Sequence, residues 1–91
     1  MPAYSPPNTH YAHFDVSQYG DDVLLRAIGR EGWMFKRLTN KLGLIYLWWD
    51  KEAKRVEIWG PFESLKKGAK DHVQQHIVWH SQPWISAFHD D

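Results

Sequence analysis

Ninety-one residues are enough for one small domain with one core and too few for two. A hydrophobic fraction of 43% with six Trp excludes disorder over most of the length, and the absence of Cys excludes disulfides and thiolate metal sites. Net charge is zero, yet all 11 Lys and Arg lie between Arg26 and Lys70 against only five acids (Glu31, Asp50, Glu52, Glu57, Glu63), a local excess of six positive charges that attracts phosphate.

Met1 to Thr9 holds three prolines and reads as an extended arm. Tyr11 to Val16 sets Tyr11 and His13 against Ala12, Phe14 and Val16, the alternation of a first strand. After the turn Ser17-Gln18-Tyr19-Gly20, Asp21 or Asp22 is placed to cap a short helix through Ile28, which Gly29 and Gly32 break. Trp33 to Leu42 has Phe35, Leu38 and Leu42 on one side and Lys36, Arg37, Asn40 and Lys41 on the other, an amphipathic helix ended by Gly43. Leu44 to Trp49 is strand-like throughout, Asp50 to Lys54 is a polar connection, and Arg55 to Trp59 alternates as the second strand of a hairpin. Gly60-Pro61 ends it. Phe62 to about His80 reads as the longest helix, with Phe62, Leu65, Ala69, Val73 and Ile77 as its apolar stripe, and Ser81-Gln82-Pro83 stops it.

The expected fold class is therefore α+β, a three-stranded antiparallel sheet packed on three helices in the order β-α-α-β-β-α. From Val23 to Ile77 the chain resembles a type I KH domain. Ile28-Gly29-Arg30-Glu31-Gly32-Trp33-Met34-Phe35-Lys36-Arg37-Leu38 looks like that family's Ile-Gly-x-x-Gly signature with its apolar helix positions. Gly43 stands where the family closes its second helix. Arg55-Val56-Glu57-Ile58-Trp59-Gly60 resembles its third strand, and Leu65 and Ala69 match early positions of the last helix. The resemblance implies an arm at 1–10, a KH domain at 11–80 and a tail at 81–91. It also implies a single-stranded nucleic acid, RNA in preference to DNA, whose backbone passes the Gly-x-x-Gly loop while its bases lie in a groove.

The physical chemistry of the loop fits that expectation. Gly29 and Gly32 remove side chains where phosphate and sugar must come close, and the amides of Gly32 and Trp33 are expected to open the second helix toward an anion. Arg30 adds a charged donor, and Lys36, Arg37 and Lys41 extend a positive edge. The alternative for the glycines is a tight turn between helices. Two residues depart from the family pattern. Glu31 sets a negative charge inside the loop, and Trp33 sets an aromatic ring where a small polar residue is usual, placed either to stack on a base or to pack on the protein. The groove is expected between the first two helices and the strand from Ile45, lined by Leu24, Ala27, Ile28, Phe35, Leu38 and Tyr46. Arg55 is expected to reach in from the next strand, and Lys51, Lys54 and Arg55 are placed for phosphate rather than base contact.

If Tyr46 and Trp48 face the helices, then Ile45, Leu47, Trp49 and Trp59 form an outward apolar face. The opposite register turns Trp48 outward. Such a face calls for a homodimer or protein partner through Leu47, Trp49 and Trp59. The other possible covers are the arm (Tyr4, Tyr11) and the tail (Trp84, Ile85, Phe88). A protein-interaction or self-association module with a degenerate KH fold is accordingly the alternative function. His72, His76 and His80 recur every four residues, a spacing that can share a metal with Asp71, His10 or His13, but a half-buried row beside the apolar stripe is the expectation, with no metal and no cofactor. Nothing resembles a nucleophile triad or a paired-carboxylate site, so no catalysis is expected. No apolar run reaches the roughly 18 residues a membrane span needs, and no secretory signal opens the chain, which fits an intracellular protein, cytoplasmic or nuclear, without a membrane partner.

Overall fold

The computed structural model describes residues 9–82. In chain order these form β1 (His10–Asp15), α1 (Asp21–Ile28), α2 (Trp33–Lys41), β2 (Tyr46–Asp50), β3 (Arg55–Gly60), α3 (Phe62–Lys66) and α4 (Ala69–His80), with one 3-10 turn, Arg30–Gly32, between α1 and α2. The three strands make an antiparallel sheet in the order β1-β3-β2, so β3 is central and β2 is an edge. The fold is α+β. Nearly all of the arm and tail expected at 1–10 and 81–91 lies outside the described residues, including Tyr4, Trp84, Ile85 and Phe88.

The helices pack on one face of the sheet. Leu24 and Ala27 of α1, Phe35 and Leu38 of α2, and Ala69, Val73 and Ile77 of α4 are buried against Phe14, Val16, Leu47, Val56 and Ile58. At the end of α2 the sequence signal is borne out in detail. Gly43 takes φ 66°, its N–H donates to Asn40 O at 3.3 Å, and the Leu44 N–H donates to Thr39 O at 2.9 Å. Those two bonds satisfy carbonyls that the helix end would leave bare, and they turn Leu44 into the core.

The structure differs from the sequence reading at three places in the fold. The last helix is two helices, α3 and α4, which makes four in all rather than three. Gly68 adopts φ 93°, ψ 27° and its N–H closes α3 on Leu65 O at 3.1 Å. The stripe Leu65, Ala69, Val73, Ile77 runs on across the break, which hides it from a periodicity argument. Phe62 drops out of that stripe; it is 54% exposed and its ring lies 5.2 Å from that of His10. Secondly, neither Asp21 nor Asp22 caps α1. Gly20 is the capping residue, its carbonyl accepting from Val23 at 3.1 Å, and both acids sit in the first turn, where the helix dipole favours them.

The third difference is the register of β2. Leu47 pairs with Ile58 and Trp49 with Val56, so Leu47 and Trp49 face the helices. Tyr46 pairs with Trp59 and Trp48 with Glu57, which puts Tyr46 and Trp48 on the other face with Tyr11, His13, Arg55, Glu57 and Trp59. The expected outward surface of Leu47, Trp49 and Trp59 does not exist as such; only Trp59 belongs to it. The cause is a strand that starts at Tyr46 after Leu44 has turned inward, and since side chains alternate, one residue of offset exchanges the faces.

On that outer face Glu57 is completely buried, and the Tyr11 hydroxyl donates a hydrogen bond to Glu57 Oε2. Arg55 Nε lies 3.3 Å from the same oxygen. Desolvation of its hydroxyl, then the bond to Glu57 and the charge behind it, push the Tyr11 phenol up from 10 to about 12. A raised folded-state pKa means the stabilisation is complete below pH 10 and is lost as pH rises through 12. Urea unfolding at pH 9 to 12 should show the wild type losing stability in that window while Tyr11→Phe, about 1–3 kcal/mol less stable at pH 7 because a buried carboxylate loses its neutral donor, changes less.

Candidate functional site

The turn between α1 and α2 needs backbone that few residues adopt. Gly29 is at φ 82°, ψ 169°, Glu31 at φ 56°, ψ 25° and Gly32 at φ 77°, ψ 15°. A Cβ on Gly29 would stand 2.7 Å from Met34 Cγ and 2.9 Å from Met34 N, whereas one on Gly32 would meet nothing within 4 Å. Gly29 is therefore required by the packing of the turn, and Gly32 by its left-handed backbone alone. Arg30 and Glu31 both project into solvent at the tip.

One wall of a cleft starts at this turn. About 580 Å³ of space lies between α2 and β2, lined by Ile28, Gly32, Lys36, Asn40, Ile45 and Tyr46 among others. That is within the roughly 300–1,000 Å³ of typical ligand clefts. Phe35 and Leu47 make its apolar floor and are themselves buried. Along its far side runs the edge of β2 that no described strand pairs. Lys36 and Asn40, one turn apart and both exposed, form the rim on the helix side.

Ile28, Gly32, Lys36 and Tyr46 are thus brought together as the sequence suggested, with Gly29, Arg30 and Glu31 at the mouth. Others are not. Leu24 and Ala27 are wholly inside the core, at 1% and 0% exposure, and cannot touch a ligand. Leu38 and Arg37 lie on the opposite flank of α2, where with Lys41, Asp71, His72 and Trp79 they line a second cleft of about 610 Å³ against α4. Arg55 is on the outer sheet face beside Glu57, away from the cleft. Lys51 and Lys54 are exposed in the β2–β3 turn, Lys51 at 3.4 Å from Asp21. Trp33 is 57% exposed, and the Arg37 guanidinium carbon lies 5.4 Å from its ring centroid, a cation–π contact.

The loop amides also differ from expectation. The Gly32 N–H donates to Gly29 O at 3.1 Å and the Trp33 N–H to Arg30 O, both within the 3-10 turn. They are committed internally, so the positive character of the mouth rests on Arg30 and Lys36 instead. The residues that sequence reasoning passed over are Thr39, Asn40 and Trp48. Asn40 could have been found, since it follows Lys36 by four positions on the same helix face. Trp48 could not, because it depends on the strand register.

The histidine row closes the α1–α4 interface. His76 Nε2 lies 2.8 Å from Ala27 O, and the buried His80 ring meets His76 edge-on at 4.7 Å. Arg26 Nη2 donates to His80 O at 3.2 Å, tying the end of α4 to α1. His72 remains exposed on the second cleft. Among the described residues no three His, Asp or Glu converge to hold a metal, and no helix is long and apolar enough to cross a membrane. No family model, curated protein or solved structure matches the chain.

Proposed function

We propose that the chain is a KH-type module that holds a short single-stranded nucleic acid, RNA in preference to DNA, in the cleft between α2 and β2. The observation that carries this reading is the continuity of the Gly29–Gly32 turn with that cleft. A turn at positive φ, with an exposed cation and an exposed acid at its tip, opens onto an apolar floor whose rim is Lys36 and whose far wall is the edge of β2 that no described strand pairs. Phosphates lie along Arg30 and Lys36, bases enter the apolar floor, and polar base edges meet Asn40 and the outer edge of β2. The element order β-α-α-β-β-α, with its last helix broken at Gly68, supports the family resemblance.

Glu31 tempers the affinity. It brings a negative charge beside the phosphate path, so a single site binds weakly and depends on salt. The affinity for a labelled homopolymer, followed by fluorescence anisotropy, should fall with salt at a logarithmic slope of about −2, the value for roughly three phosphates neutralised on a single strand. Lys36→Ala should make that slope shallower by about 0.7. A flat salt response, or no binding at all, would favour the alternative of a protein-interaction module.

A further inference from the structure

The sheet face turned away from the helices is built from two rows of side chains. Tyr11, Trp59 and Tyr46 stand side by side across the three strands at one end; His13, Glu57 and Trp48 follow in the next row. The ring centroids of Tyr11 and Trp59 are 5.2 Å apart, those of Tyr46 and Trp59 5.7 Å, and Tyr46 and Trp48 lie nearly parallel at 6.2 Å. Together they form a continuous aromatic surface over a buried carboxylate. Although no described helix belongs to this side of the sheet, Trp59 is only 3% exposed and Glu57 0%.

The strand register says which part of the chain is placed to reach it. His10 pairs with Gly60, so β1 begins at the end of the sheet that carries the Tyr11-Trp59-Tyr46 row. That is the end of β1 that residues 1–8 precede in the chain. These residues read Met-Pro-Ala-Tyr-Ser-Pro-Pro-Asn, with no charged side chain. A proline-rich stretch is already extended before it docks and loses little entropy in doing so, and such segments are recognised by aromatic-lined surfaces. At about 3.1 Å per residue, eight residues span roughly 25 Å. Three strands at about 4.8 Å spacing are only about 10 Å across. The other end of the chain starts from α4, which Arg26 holds to α1 on the helix side, and its residues 83–91 include Asp90 and Asp91, charges of the same sign as Glu57.

We propose that the Tyr11, Tyr46, Trp48 and Trp59 surface is the docking site of the chain's own proline-rich arm, residues 1–8, with Tyr4 and the prolines seated on the rings. The side chains of residues 1–8 are uncharged, so they cover Glu57 without bringing a second charged side chain out of water. This inference does not rest on nucleic-acid binding, although Tyr46 and Trp48 also line the cleft between α2 and β2.

The chain has no Cys, so Ala3→Cys carries a nitroxide label at one place only. In the full-length labelled chain, the indole N–H signals of Trp59 and Trp48 should broaden in the NMR spectrum, the amides of α4 should not, and an excess of unlabelled chain should leave the pattern unchanged. Absence of broadening on the face overturns the proposal. Loss of the broadening in unlabelled excess overturns it in favour of a second copy, and the same pattern from a label at Phe88→Cys overturns it in favour of the other end of the chain. In a separate full-length variant, Tyr4→Ser should speed exchange of the Trp59 indole proton at least tenfold; an unchanged rate overturns the seating of Tyr4.

Discussion

Replacing Arg30 and Glu31 by two aspartates should weaken binding to single-stranded homopolymer RNA and DNA at least tenfold, about 1.4 kcal/mol, and leave the folded chain as stable as before. Both side chains are exposed at the tip of the turn and neither makes an ion pair with another described residue, so the described fold loses nothing with them. Asp adopts the left-handed backbone of position 31 more readily than Glu, because its short side chain can bond its own backbone. Binding is another matter. In the proposed complex Arg30 faces phosphate, so an acid in its place would remove a charge-assisted hydrogen bond and add repulsion in the same step. Anisotropy with labelled homopolymers, beside a thermal melt, separates the two effects. Undiminished binding would show that the loop is not the site.

Gly29→Ala should cost the domain about 3 kcal/mol of unfolding free energy. Gly32→Ala should cost only about 1–2. The two residues look equivalent in a Gly-x-x-Gly signature but stand in different surroundings. At φ 82°, ψ 169°, Gly29 occupies a region that is essentially restricted to glycine. A methyl group there also collides with Met34, including its backbone nitrogen, which has no room to yield. Gly32 is left-handed with open space around its Cα. Since Gly32 lines the cleft and Gly29 does not, the milder variant should lose affinity while remaining folded. Urea titrations of both variants check the contrast; equal losses would mean that Met34 moves aside.

The parts of this fold that were legible in the sequence are those decided locally. The two glycines, the closing Gly43 and the amphipathic spacing of Phe35 and Leu38 mark α2 and both its ends without reference to anything distant. The hairpin was legible for the same reason: its strands are rich in branched and aromatic residues and its connection is polar. What escaped depends on more distant parts of the chain. Whether Leu47 or Trp48 points inward is settled by pairing with Ile58 and Glu57, and a run in which every residue from Leu44 to Trp49 is apolar offers no alternation to choose between them. Arg55 looked like a cleft residue until its strand proved to present Val56 and Ile58 to the core, which sends Arg55 to the other side. The Gly68 break lies under an apolar stripe that continues regardless. Of the candidate site, the turn and Lys36 were legible, whereas the far wall depends on β2 being the edge of a sheet whose order only the folded chain reveals.

That strand order also bears on how the domain assembles. β2 and β3 are joined by a four-residue turn, 51–54, whereas β1 must find its place on β3 across the whole helical segment, Tyr11 and Glu57 being 46 residues apart in sequence. Closing the short loop costs far less chain entropy than closing the long one, which favours the hairpin forming first and β1 joining afterwards. The last strand to arrive is therefore the first in the sequence. It brings with it the Tyr11 hydroxyl that Glu57 bonds, so this carboxylate gains its neutral donor only when the sheet is complete.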